Sequence, residues 1–206
     1  MIAKGTFSWL AVVFLSTTCC ALLSYVTSVT YLRQASYVGA ALFIFFLWFF
    51  RDPVRDTKVC KHCVVAPADG KVVDIRDRKV CIFMNLHNVH VNRAPVSGRV
   101  RTITHIKGGH IPAFCKDSDR NERTVILIDA DVGEVQLTQI AGTLARRIVS
   151  YVREGDDILQ GQRIGMIRLG SRVDVTIPPQ FNVLCSKGDR VYAGETMIAK
   201  TEITAR

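Results

Sequence analysis

Gly165-Met166-Ile167-Arg168-Leu169-Gly170-Ser171-Arg172-Val173-Asp174-Val175 joins two apolar, strand-like runs through a Leu-Gly-Ser tripeptide. A serine hydroxyl held against the preceding carbonyl attacks it when a neighbouring base removes the proton, and the Gly170–Ser171 amide then becomes an ester. Gly170 suits that step, because it does not shield its carbonyl and tolerates strained backbone angles. Taken alone, Gly-Ser beside a strand is also an ordinary bulge or turn. The rest of the chain has to decide.

Outward from this stretch, everything beyond residue 50 has the same texture: short apolar runs broken by Gly, Pro, Asn and Asp. Residues 64–66, 71–75, 80–84, 98–106, 124–128, 134–140, 163–167, 173–177 and 197–199 read as strands, several with period-two alternation. Only 143–152 looks helical. The expectation is a mainly β (α+β) soluble domain over 51–206. Gly155-Asp156-Asp157-Ile158-Leu159-Gln160-Gly161-Gln162 is echoed by Gly188-Asp189-Arg190-Val191-Tyr192-Ala193-Gly194-Glu195, so two copies of one turn-and-strand unit flank Ser171. Such pairs resemble the hairpins of lipoyl-like and biotinyl-like hybrid barrels.

Residues 1–50 differ. They contain no Asp or Glu, and only Lys4 and Arg33 of the 27 basic residues fall there. Residues 7–29 are long enough to span a hydrocarbon core as a helix, whereas 36–50 reach that length only by starting near Tyr31 with Arg33 snorkelling, or by lying in the interface. The pair reads as a helical membrane hairpin. A signal peptide is the competing reading, but no small-x-small cleavage site follows cleanly. Arg51, Arg55, Lys58 and Lys61 follow the second segment and favour the cytoplasmic side of a cell membrane for the soluble domain. Seven scattered cysteines are an odd count and suit a reducing compartment. Cys60-Lys61-His62-Cys63 lacks a second Cys pair at usable spacing, so packed or solvent-side thiols are the default and no metal is expected.

Two further segments carry chemistry. Ala66-Pro67-Ala68-Asp69-Gly70-Lys71-Val72 places Asp69 at a proline-led corner, the position of a turn former. Leu86-His87-Asn88-Val89-His90-Val91 sets two histidines three apart, which share a face only in a helical turn.

Phe49-Phe50-Arg51-Asp52-Pro53, Ala66-Pro67-Ala68-Asp69-Gly70-Lys71-Val72, His87-Asn88-Val89-His90, Asn121-Glu122-Arg123 and Leu169-Gly170-Ser171 occur in the order and roughly at the spacing of the phosphatidylserine decarboxylase proenzymes. The chain resembles their short form with a membrane hairpin, which includes the archaetidylserine decarboxylases, from about residue 45 onward. That resemblance implies that Asp69, His90 and Ser171 form a relay of the Ser-His-Asp kind. His90, oriented by Asp69, would deprotonate Ser171 for attack on Gly170. Elimination would release a β chain, 1–170, and an α chain, 171–206, whose dehydroalanine hydrolyses to a pyruvoyl group and ammonia. The pyruvoyl ketone would form a Schiff base with the serine amine of a phospholipid and accept the electrons of decarboxylation, without pyridoxal phosphate. The product would be the ethanolamine lipid and CO2. His90 would then protonate the carbanion, with His87 helping to hold the site. Arg93, Lys116 and Arg123 are the candidates for the lipid phosphate.

The resemblance implies a membrane partner and a heterodimer of the two fragments, leaves further homo-oligomerisation open, and implies no nucleic acid. Two positions depart from the family pattern. Arg172 stands where Ser or Thr usually follows Gly-Ser, and Asn88 where Arg is common after the first histidine. Two other classes compete. A membrane-tethered lipoyl-like or biotinyl-like module explains the echo but lacks the modifiable lysine at a hairpin tip. An inert β-domain leaves Asp69, His90 and Ser171 unexplained.

Overall fold

The computed structural model describes residues 1–109, 111–131, 133–143, 147–168 and 170–201. They fall into two compact units, Met1–Pro53 and Val54–Arg206.

The first unit is a pair of helices, α1 (Phe7–Thr27) and α2 (Thr30–Phe49), both long and apolar enough to cross a membrane. At ~1.5 Å per residue each is about 30 Å long, the thickness of a bilayer core. α1 stops at Ser28, which turns left-handed at φ 56° and returns its N–H to the Ser24 carbonyl. α2 takes the longer of the two sequence readings and contains Arg33. The helices approach closely where a side chain at Gly39 would collide with Thr17, as small residues permit in membrane packing. Arg51 lies over the Trp48 ring at 4.6 Å, an interfacial pairing.

The second unit is mainly β. Its described strands are β1 (Cys63–Val65), β2 (Gly70–Arg76), β3 (Lys79–Met84), β4 (Val91–Arg93), β5 (Gly98–Ile106), β6 (Arg123–Ala130), β7 (Gly133–Ala141), β8 (Ile148–Ser150), β9 (Asp157–Ile158), β10 (Arg163–Ile167), β11 (Ser171–Thr176), β12 (Phe181–Val183), β13 (Arg190–Val191) and β14 (Met197–Thr201). Eight of them form one antiparallel sheet in the order β13-β2-β3-β11-β7-β6-β5-β9, and β1-β14-β12 and β4-β10-β8 form two smaller ones. β6 shows why the pattern folds: Thr124, Ile126 and Ile128 are buried while their neighbours are partly open, so alternate side chains enter the core. β11 is buried on both faces from Ser171 to Val175.

The helical expectation for 143–152 is corrected. Ile148–Ser150 is a strand that pairs with Gly165–Ile167, and residues 144–146 lie outside the described ones. Ile148 and Val149 are β-branched and find a free strand edge, so local helix propensity loses to pairing.

The echo noted in the sequence is physical, and it is larger than the sequence reading made it. Ala66-Pro67-Ala68-Asp69-Gly70-Lys71-Val72 matches Ala94-Pro95-Val96-Ser97-Gly98-Arg99-Val100, and the two copies make the same bonds. Val65 N–H donates to the Pro95 carbonyl at 3.0 Å and Arg93 N–H to the Pro67 carbonyl at 2.8 Å. Gly194 N–H meets the Ala66 carbonyl, and Gly161 N–H meets the Ala94 carbonyl. Gly155, Gly161, Gly188 and Gly194 all have positive φ, the left-handed conformation that glycine adopts without strain. A Cβ on Gly194 would lie 3.5 Å from Gly161 Cα. The turns after β9 and β13, the two end strands of the large sheet, therefore touch, and the sheet is curled.

Candidate active site

Ser171 begins β11, opposite Met84 of β3 and Ala141 of β7. Its side chain is fully buried, and its Oγ has no hydrogen-bond partner among the described residues. An unsatisfied buried hydroxyl costs about 1–3 kcal/mol, and folded chains seldom keep one without a use. Gly170, before it, has φ 66°, and a side chain added there would meet nothing within 4 Å. The space on the side-chain side of Gly170 is thus open, while its carbonyl packs close to Gly142. Leu169 lies outside the described residues.

His90 reaches the same end of the sheet from a different strand. Its carbonyl receives the Ile167 N–H at 3.4 Å, extending the pairing of β4 with β10. Two residues on, Asn92 contacts Met84 Sδ at 3.5 Å and accepts from Gln139 Nε2 at 2.7 Å. Met84 and Gln139 are the register partners of Ser171 and Val173. Residues two apart on an extended chain face the same way, so His90 faces the large sheet near the start of β11. It is buried, and its Nδ1 sits 2.9 Å from the Asn88 carbonyl. A carbonyl only accepts, so the ring donates in this contact through Nδ1–H.

Asp69 is buried at its corner. One oxygen accepts the Ala193 N–H at 2.8 Å, and the other pairs with Arg55 at 2.7 Å. Arg55 also binds Glu195 at 2.8 Å, so this juxtamembrane cation is engaged inside the β unit. His87 is exposed in a turn closed by Asn88 N–H to the Asn85 carbonyl, and the structure does not place it in the interior with His90.

The phosphate candidates divide. Arg93 is buried and donates to the Gly161 carbonyl at 2.9 Å. Arg123 donates to the Asp119 and Asn121 carbonyls. Both serve the fold, which counts against a solvent-facing phosphate contact. The Lys116 side chain lies outside the described residues. Arg168, two residues before the cut, is held below its ordinary pKa, first by burial and then by Arg147.

Beside Gly170 is a cavity of about 140 Å³, lined by Phe83, Asn85, Leu86, Ala113, Phe114 and Thr143 among others. Leu86 and Phe114 are exposed, so its lip is apolar. Sequence reasoning did not single out Gly142, whose added side chain would collide with the Gly170 carbonyl. Nor did it anticipate that Arg172 and Asp174 are buried. Burial pushes the Asp174 carboxyl above its ordinary value, while the bonds to Arg172 act the other way. Cys81, opposite Asp174, has its thiol pushed up to about 12 by burial and then by that carboxylate, and it stays protonated.

Residues 42–199 match the family model described as phosphatidylserine decarboxylase. A putative archaetidylserine decarboxylase proenzyme of Methanococcoides burtonii is 54% identical over 200 residues, covering 97% of this chain and 96% of the relative. A phosphatidylserine decarboxylase proenzyme of Streptomyces avermitilis is 49% identical over 157 residues, covering 74% and 72%. A putative archaetidylserine decarboxylase proenzyme of Halobacterium salinarum is 47% identical over 171 residues, covering 79% and 84%.

Proposed function

Because the chain belongs to the phosphatidylserine decarboxylase family, we propose that it cuts itself between Gly170 and Ser171 and then decarboxylates a serine phospholipid to the ethanolamine phospholipid. The observation that carries this reading is the buried Ser171 Oγ, without a hydrogen-bond partner among the described residues, directly after a left-handed glycine. His90 takes the Ser171 proton through Nε2 while Nδ1 is held by the Asn88 carbonyl. Asp69 supplies the negative charge that steadies the protonated imidazole. The serine oxygen attacks the Gly170 carbonyl, the C–N bond breaks, and the chain passes to an ester. Loss of the Ser171 α-proton expels the Gly170 carboxylate and leaves dehydroalanine, which takes up water and releases ammonia. Residue 171 thereby becomes a pyruvoyl group on the amide of Arg172.

The residues present fit such a group. Ser171 is buried in the ladder next to an open glycine and an apolar-lipped cavity. A pyruvoyl ketone supplies the electron sink that decarboxylation of an α-amino acid requires. The chain's own part is to exclude water around residue 171, to hold His90 as the proton donor to the substrate Cα that CO2 leaves, and to present Leu86 and Phe114 to the lipid.

Three structural features support the remaining assignments. The 171–206 fragment supplies β11, which lies between β3 and β7, and also β12, β13 and β14, so the halves stay interwoven after cleavage as a heterodimer. The paired Gly161 and Gly194 turns favour the hybrid-barrel reading of the β unit. The two apolar helices favour a membrane anchor, and the cations Arg51, Lys58 and Lys61 favour a cytoplasmic β unit. Full-length relatives named for archaetidylserine favour an ether-lipid substrate.

The test is to supply detergent-purified protein with vesicles of archaetidylserine or phosphatidylserine and no pyridoxal phosphate. CO2 release that phenylhydrazine abolishes is expected, since a carbonyl reagent blocks the ketone. Activity insensitive to phenylhydrazine, or no CO2 from either lipid, overturns the reading.

A further inference from the structure

Arg172 is 2% exposed although it stands on a strand one residue from the scissile bond. Its five N–H donors all have acceptors. Nε and Nη2 grip Asp174 at 2.8 and 2.9 Å, and Nη2 also pairs with Asp119. Nη1 donates to Ser118 Oγ at 2.6 Å and to the Cys115 carbonyl at 3.3 Å. No other side chain offers that fork.

The geometry explains what the fork holds. Residues opposite one another in an antiparallel ladder share a face, so Arg172 stands on the face of Phe83 and Ser171 on the face of Met84. Asn92 and His90 belong to the Met84 face. The Phe83 face is covered by the segment 111–121, whose Phe114 meets the Phe83 ring edge-on at 5.8 Å. Ala113 and Phe114 are walls of the cavity beside Gly170. Ser118 donates back to the Ala113 and Cys115 carbonyls, and Asp119 also pairs with Arg76 of β2 at 2.8 Å. The segment therefore hangs from the sheet by Arg172 and Arg76.

We propose that Arg172 is a positioning residue for the decarboxylation step, clamping the 111–121 segment as the wall of the cavity beside Gly170 and fixing the new chain end that cleavage creates. The proposal rests on the self-cleavage reading for both the decarboxylation step and the new chain end, whereas the hold of Arg172 on the segment stands without it. A chain terminus ordinarily frays. Here residue 171 is followed at once by a side chain anchored at five points. The base, by contrast, works from the opposite face, so the clamp is not needed for the cut itself.

The test uses the full-length protein in detergent. Arg172→Met strands the buried Asp174 carboxylate and tends to misfold, so the deciding variant is Ser118→Ala with Asp119→Asn. That pair leaves the Arg172–Asp174 fork intact and loosens the segment, removing the Ser118 bond and the ion pairs of Asp119 with Arg172 and Arg76 while the Cys115 carbonyl contact stays. Processing is expected to be complete, while KM for vesicle-borne serine phospholipid rises about tenfold, within the ~100-fold range that misplacement produces. Amide exchange should quicken within 111–121 and nowhere in β3 or β11. Arg172→Lys, which keeps the charge and loses the fork, should show the same split between processing and KM. Unchanged exchange in 111–121 together with unchanged KM in the double variant overturns the clamp. If the unmodified chain proves uncut, the self-cleavage reading fails on its own and exchange still decides the clamp.

Discussion

Ser171→Ala yields a single uncut chain with no decarboxylase activity, and it folds at least as stably as the unmodified protein. The loss is complete because Ser171 is both the nucleophile and the source of the carbonyl, so no residual pathway makes the prosthetic group. The stability half of the result separates a functional residue from a structural one. The hydroxyl is buried without a hydrogen-bond partner among the described residues, and deleting it removes a desolvation cost of about 1–3 kcal/mol. A stabilised, uncut variant is the signature of a site held at the expense of stability. Intact mass reads the cut and a thermal melt reads the fold. An uncut variant that is also strongly destabilised would place Ser171 among the packing residues instead.

Asp69→Ser is expected to fold and to cleave roughly 10³–10⁴ times more slowly, the scale on which such relays fail when the carboxylate is lost. The internal repeat makes this substitution informative. Ser97 occupies the matching position of the second copy and accepts the Gln160 N–H at 2.9 Å, as Asp69 accepts the Ala193 N–H. A hydroxyl therefore satisfies the turn. What serine cannot supply is charge, and the first copy has invested in charge by setting Arg55 against Asp69. With Nδ1 held by the Asn88 carbonyl and Nε2 taking the Ser171 proton, Asp69 would act on a protonated His90 through its charge rather than through a hydrogen bond. Some stability is lost with the Arg55–Asp69 pair, both members being mostly buried. Prompt, complete cleavage in a folded Asp69→Ser protein would reduce Asp69 to a turn former.

Much of this was legible in the sequence, for physical reasons that can be named. The strand expectations at 98–106 and 163–167 coincide with β5 and β10, because apolar runs bounded by glycine and polar turns leave little choice. The two apolar N-terminal helices followed from two apolar runs within fifty positions that hold no acidic residue. β4 and β12, at three residues each, were not read as strands, since they exist only through partners distant in sequence. The Ala-Pro-x-x-Gly repeat was present but its meaning lies in cross-bonds between copies, such as Arg93 to Pro67. Alternation along β11 sends Arg172 and Asp174 toward solvent. Only the packing of Ser118 and Asp119 over that face, from a segment far away in the chain, shows them buried. At the site, the reading of Gly170 and Ser171 rested on the ordered motifs along the chain, because Gly-Ser beside a strand is by itself also an ordinary turn. The engagement of Asp69 with Arg55, and the burial of Arg93, were not legible in those motifs.

The central claim is that the chain makes its own carbonyl at residue 171. Intact mass of detergent-purified, unmodified protein with no substrate added tests it most directly. Two fragments are expected, 1–170 and 171–206, the second lighter than its free-amine sequence by one ammonia and resistant to sequencing from its amino end. A single uncut chain, or a second fragment carrying an intact amino-terminal serine, contradicts it.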